Sequence, residues 1–320
     1  MDVGALLDNL LSPAILLFVV GIIAATLRSD LEIPPPIPKA LALFLLLAIG
    51  FKGGIGLRAV EGDQVGMVLG VLIVSVAASA LFPLGAYALL RLKLGRPDAA
   101  AIAACYGSVS AVTFVTALAF LDFEAAVYGG YMVAALALME SPAIVTGVLL
   151  GKGGGNLKLK PLLHEALLGG PVVLLVGAMV VGFVAQPDAA ASLRKPLAGA
   201  FDVALAVFLL DMGLLAGRQM RNLKDAGWLP PTFALVAPPV QASLGVLCAY
   251  VLGLAPGDAL LLAVLFGGAS YIAVPAAMRI AMPEASPGLY VPMSLGITFA
   301  FNVTLGIPLY WLLIQTLWGF

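Results

Sequence analysis

The chain has 320 residues, of which 62% are hydrophobic and only 10% charged. That charge fraction is far below the roughly 25% of a soluble domain, which excludes an ordinary water-soluble fold and reads as a polytopic membrane protein. Sixteen basic and seventeen acidic residues nearly cancel, which argues against a nucleic-acid partner.

At the N-terminus, Asp2 and Asp8 precede the first apolar run and no Lys or Arg does. A cleaved signal needs a basic segment there, so Asn9–Leu27 reads as the first helix of the mature chain. Charge and Pro/Gly punctuation then divide the chain into ten spans. The first five lie at about 11–27, 37–58, 65–90, 98–121 and 127–150, and the second five at about 166–186, 197–217, 227–253, 258–281 and 289–317. The span at 65–90 holds no charge. The last, with Pro292 and Pro308 inside it, reads as one bent helix. Cys105 and Cys248 both fall inside spans, where two buried thiols are a simpler reading than a disulfide or metal pair.

Loop charges predict the orientation. Twelve basic residues, among them Arg28, Lys39, Arg91, Lys152, Arg218 and Arg279, fall in loops on one side, against Arg58, Arg194 and Lys195 on the other. The crowded side is the expected cytoplasmic side of a cell membrane, which puts both termini outside. Five spans per half is an odd number, so the second half enters from the opposite side. The expected organisation is a first five-helix repeat over 1–151, a short cytoplasmic connector over 152–163 and a second, inverted repeat over 164–320. Gly153-Gly154-Gly155 and the nearby lysines give the connector a flexible, basic character.

The fourth and ninth spans carry the strongest local signal. Gly267-Gly268-Ala269-Ser270-Tyr271-Ile272-Ala273-Val274-Pro275 crowds helix-weakening and polar residues into the deepest part of an uncharged run. Gly107-Ser108-Val109-Ser110-Ala111-Val112-Thr113 echoes it at an offset of 160, which also pairs Asp98 with Asp258. Elsewhere Gly50 and Gly54 match Gly213 and Gly217 at an offset of 163, and Pro13 matches Pro171. The fold class expected is therefore all-α, with ten transmembrane helices in two inverted repeats. Helices four and nine are broken and cross near the membrane centre. Paired interrupted helices in corresponding halves point to the binding site of a secondary transporter.

Gly107, Ser108, Ser110 and Thr113 on one break, with Ser270 and Tyr271 on the other, are the candidate substrate-binding residues. Hydroxyls, freed amides and positive helix ends together suit a small anion. Each hydroxyl has the alternative of bonding a neighbouring backbone carbonyl instead. Glu140, within Met139-Glu140-Ser141-Pro142, is a costly carboxylate inside a span. Together with Ser141 and Asn302 it makes the candidate ion-binding set. Lys52 and Asp211 could form a structural ion pair or mark the membrane edge. His164 stands alone, and no metal-ligand cluster is present. Gly107-Ser108-Val109-Ser110-Ala111 approaches a nucleophile elbow but ends in Ala and lies within a span, so no enzyme is expected.

At these residues the chain resembles the sodium-dependent bicarbonate transporter family over nearly its whole length. The resemblance is strongest at Gly107-x-x-Ser110-x-x-Thr113, at Met139-Glu140-x-Pro142-Ala143 and from Ser270 to Pro283. It implies a symporter with a core and a gate part, taking up bicarbonate with Na⁺ as coupling ion and no other cofactor. The substrate would lie near Ser110, Thr113 and Ser270. It also brings a PII-like soluble regulator as a family partner. The family's best-known members carry Ser-Ser-Ser-Asp where this chain has Gly268-Ala269-Ser270-Tyr271, and a long insert where this chain has its short connector. A symporter or exporter of a small organic acid, a passive anion channel and a homo-oligomer all stay open at this point.

Overall fold

Within a bilayer no water satisfies the peptide groups, so each apolar span closes its own hydrogen bonds as a helix. The computed structural model describes residues 11–153, 164, 168–220 and 227–319, and its regular structure there is helical, with no strand among the described residues. In chain order the helices begin with α1 (Pro13–Thr26), α2 (Pro36–Arg58), α3 (Val65–Leu90), α4 (Arg96–Gly107), α5 (Ala111–Phe123), α6 (Tyr131–Met139) and α7 (Pro142–Lys152). They continue with α8 (Gly170–Val184), α9 (Pro187–Met220), α10 (Leu229–Val251), α11 (Pro256–Phe266), α12 (Ala273–Ala281) and α13 (Pro287–Trp318). Among the described residues, seven stretches are long and apolar enough to cross a membrane, counting α4 with α5 and α6 with α7; α1, α8 and α11 are shorter apolar helices. Proline at the first or second position starts α1, α2, α4, α7, α8, α11 and α13. A missing amide costs nothing there, because the first four have no partner in the helix anyway.

The helices match the expected spans closely, with three corrections. The fifth span is two helices, because the chain turns at Glu140-Ser141 before Pro142. The seventh begins ten residues early, with Pro196 inside it, so Arg194 and Lys195 lie on α9 rather than in a loop. Lys52 and Asp211 do not pair: Lys52 Nζ lies 3.3 Å from Asp122 instead. The last span is one helix as expected, bent through two π-helical stretches at Pro292–Phe299 and Asn302–Gly306. Most of the connector, residues 154–163, lies outside the described residues.

Two helix pairs form one side of the molecule, α1 crossing α9 and α2 crossing α8. Small residues let the backbones touch, since apolar burial alone does not drive helices together in lipid. A Cβ on Gly54 would run into the Met179 carbonyl, and one on Gly213 would run into that of Phe18. Gly50 faces Leu175 and Gly217 faces Ile22 in the same way. The glycines that echo each other in sequence therefore do the same job at two equivalent crossings.

The other helices surround α4 and α11, which are the most deeply buried. All residues from Ala99 to Gly107 and from Gly257 to Phe266 are buried. The alanine-rich face of α4 permits this closeness; Ala104 meets Gly147 of α7 directly. Asp98 and Asp258, each in the first turn of one of these helices, anchor opposite ends. Asp98 accepts from the Ser286 amide at 2.8 Å. Asp258 accepts from the Gly129 amide and the Tyr131 hydroxyl, both at 2.6 Å. Each aspartate thus holds the loop that follows the far segment of the other broken helix.

Candidate functional site

Both expected breaks are present, and they touch. α4 stops at Gly107 and α5 starts at Ala111, with Ser108 and Ser110 extended between them. α11 stops at Phe266 and α12 starts at Ala273. The Ser270 amide donates to the Cys105 carbonyl at 2.8 Å, so one interrupted backbone is hydrogen-bonded to the other. Such irregular backbone is tolerated at membrane depth only where protein or a wet cavity meets its polar groups.

A cavity of about 780 Å³ opens at this crossing. Val109, Ser110 and Ala111 line it from the first break, and Ser270 to Ala273 from the second. The first turns of α5 and α12 therefore both border it, and helix N-termini carry unpaired amides and partial positive charge. Ser110 caps α5: its Oγ accepts from the Thr113 amide at 3.1 Å and from the Thr113 hydroxyl at 2.8 Å. Ser270 Oγ accepts from the Val274 amide at 3.2 Å. Both serines have spent acceptor capacity, and neither gives its own proton to an acceptor among the described residues. The Tyr271 hydroxyl is buried beside that of Ser110 and meets no hydrogen-bond partner of full geometry among the described residues. Its ring is fixed edge-on against Phe299, 5.3 Å between centroids. Three hydroxyl donors are thus left facing one space.

Glu140 borders the same cavity from the turn between α6 and α7, and its Oε2 is buried with no hydrogen-bond partner among the described residues. That turn is stitched by Ser79, whose Oγ donates to the Met139 carbonyl at 2.8 Å and accepts from the Ala143 amide at 3.3 Å. On the opposite wall Phe208, Asp211, Met212 and Arg218 of α9 complete the cavity, which reaches the surface past Glu32 and Lys39.

The remaining predicted residues support the site from behind. Gly107 leaves room for the Pro83 ring of α3. Ser108 donates to the Glu140 carbonyl at 3.2 Å, joining the first break to the α6–α7 turn. Thr113 is the residue that Ser110 caps. Asn302 donates to the Gly267 carbonyl at 2.8 Å and accepts from the Tyr310 hydroxyl at 2.8 Å, bracing the end of α11. Gly107, Ser108, Thr113, Ser141 and Asn302 do not line the cavity. Sequence reasoning missed Ser79 and Gln241, whose Nε2 donates to the Tyr106 carbonyl at 3.0 Å. It also set Asp211 aside. The available signal for Asp211 was a carboxylate inside an apolar span.

A second cavity, of about 530 Å³, lies at the other end of α2 and α9 and shares no lining residue with the first. Lys52, Asp122 and Tyr128 border it. The Lys52–Asp122 ion pair, with Lys52 also over the Tyr128 ring, ties α2 to α5 there. Among the described residues, no three His, Cys, Asp or Glu side chains group as metal ligands.

No individual curated protein matches the chain. A family model described as the Na⁺-dependent bicarbonate transporter superfamily matches residues 13–315. That match covers nearly the whole of a chain already seen to hold several membrane-length apolar helices, and the protein belongs to the Na⁺-dependent bicarbonate transporter superfamily.

Proposed function

We propose that this protein carries bicarbonate or a similar small anion into the cell together with Na⁺, by alternating access around the crossed breaks. Family membership makes it a multi-pass membrane transporter rather than an enzyme. The observation that carries the finer reading is the set of three hydroxyls, on Ser110, Ser270 and Tyr271, whose protons have no acceptor among the described residues where two helix N-termini meet. An anion with several oxygens would accept from them, and the partial positive charge of α5 and α12 adds to the attraction. Glu140 would attract the cation, because an ionised carboxylate left unpaired in that setting is costly.

The equivalent glycine crossings and the reciprocal Asp98 and Asp258 anchors support two inverted five-helix repeats. The α1, α2, α8 and α9 group would be the gate part, and the helices around α4 and α11 the core. The excess of basic residues near Arg28, Lys39 and Arg218 would place the larger cavity on the cytoplasmic side, with the termini outside. In this arrangement the Lys52–Asp122 pair holds gate against core on the outer face. Two cavities that share no lining residue, at opposite ends of α2 and α9, favour a transporter over a continuous channel.

The cavity, at about 780 Å³, is much larger than bicarbonate needs, and this favours a small organic acid as the second reading. The test is uptake of ¹⁴C-bicarbonate into proteoliposomes with and without an inward Na⁺ gradient. Accumulation above equilibrium that requires Na⁺ and resists competition by organic acids is the expected result. Equilibration without accumulation would overturn symport, and displacement by an organic acid would reassign the substrate.

A further inference from the structure

Asp211 is a further carboxylate lining the cavity, besides Glu140, and the anion site has no use for it. It is 8% exposed and lies inside α9, on the wall facing Ser110, Ser270 and Tyr271. It makes no hydrogen bond or ion pair among the described residues. Arg218, two turns further along the same helix, is an opposing charge in electrostatic reach; it is beyond ion-pair distance and donates to the Leu31 carbonyl instead. Lys39 is exposed at the mouth.

The placement raises a physical difficulty. An ionised Asp211 in this space works against any anion bound to the three hydroxyls. Like charges sharing one cavity of reduced dielectric disfavour each other, which lowers affinity for the anion. An unpaired carboxylate inside a span is also unfavourable in itself and is ordinarily matched by a cation. Oxygen donors around a monovalent cation would remove both penalties at once, and the cavity offers them: the Asp211 carboxylate, the free Glu140 oxygen and the unpartnered Tyr271 hydroxyl.

We propose that Asp211 is a cation-binding residue that holds Na⁺ on the α9 wall of the cavity, so that the anion is accepted only once this charge is neutralised. The inference rests on reading the cavity as the transport site and adds to it a coupling device built into the opposite group of helices. Glu140 and Asp211 stand on different groups, so a cation near both would favour closing the two groups over a loaded cavity. The empty or half-loaded cavity would keep an unmatched charge on one wall.

The test is equilibrium binding of ²²Na⁺ to purified protein, with choline as the replacement cation and no bicarbonate, followed by bicarbonate binding without Na⁺. Asp211→Asn should lose at least tenfold in Na⁺ affinity, and Asp211→Glu, which keeps the charge, should recover most of it. Asp211→Ser serves as a second neutral variant should the amide fail to fold. Without Na⁺, the neutral variants should bind bicarbonate at least tenfold more tightly than wild type, a gain that a packing role would not produce. Wild-type Na⁺ affinity in a folded neutral variant would overturn the assignment to Asp211. A wild-type protein that binds no Na⁺ would overturn this inference and the sodium coupling together. Proteoliposome uptake that depends on Na⁺ alongside an insensitive Asp211→Asn would overturn this inference alone.

Discussion

Tyr271→Phe is the most informative single change, because binding and stability should move in opposite directions. The substitution removes one oxygen and leaves the ring edge-on against Phe299. The hydroxyl is buried with no hydrogen-bond partner among the described residues. An unsatisfied buried polar group costs about 1–3 kcal/mol, so its removal should raise stability, by roughly 1 kcal/mol after allowing for relaxation. A hydrogen bond to a charged ligand typically contributes about 1.5–3 kcal/mol, so anion affinity should fall roughly ten- to a hundredfold. Thermal unfolding in detergent and bicarbonate binding to the same preparation measure the two quantities. A variant that binds bicarbonate like wild type would refute the placement of the anion at Tyr271, whatever its stability. A less stable variant would show instead that the hydroxyl has a structural partner.

Ser110→Ala and Ser270→Ala should each weaken anion binding by a similar factor, with a non-additive double mutant because the two share one ligand. Ser110→Ala should also lose about 1 kcal/mol of stability, since Ser110 caps α5; wild-type affinity in both single variants would make the crossing a packing seam. Glu140→Gln should raise the Na⁺ concentration for half-maximal uptake without unfolding the protein, and unchanged sodium dependence would assign Glu140 a structural role. Gly54→Ala should destabilise by about 1–3 kcal/mol or more, because its Cβ would meet the Met179 carbonyl. Gly177→Ala on the same pair of helices, where nothing lies within 4 Å, should be neutral or stabilising, and thermal unfolding of the two variants checks the contrast.

Much of this protein is legible in its sequence because a bilayer leaves the chain few choices. Each apolar run must be helical to satisfy its peptide groups, so composition and punctuation place most of the helices to within a few residues, the early start of α9 and the split of the fifth span excepted. The uncharged run at 65–90 coincides with α3. The breaks at Gly107–Ser110 and Gly267–Ile272 were visible for the same reason, since glycine and proline cannot sustain a helix cheaply. The turn at Glu140-Ser141 was harder to see, because only one proline marks it and the hydroxyl that stitches it, Ser79, comes from α3.

What only the tertiary structure decides is which polar groups remain unspent. Eight candidate hydroxyl, amide and carboxylate side chains and one glycine look alike as letters. Thr113, Ser108 and Asn302 turn out to be committed to neighbours, whereas Ser110, Ser270, Tyr271 and Glu140 face one cavity. Lys52 and Asp211 show the same limit. Their spacing in the chain allowed a pair, but the crossings of α2 with α8 and α1 with α9 carry them to different cavities. Lys52 finds Asp122, and Asp211 is left facing the breaks. Local sequence sets where a helix can form or fail, because those energies belong to adjacent residues. Partners for buried polar atoms come from distant segments, and only the folded packing brings those together.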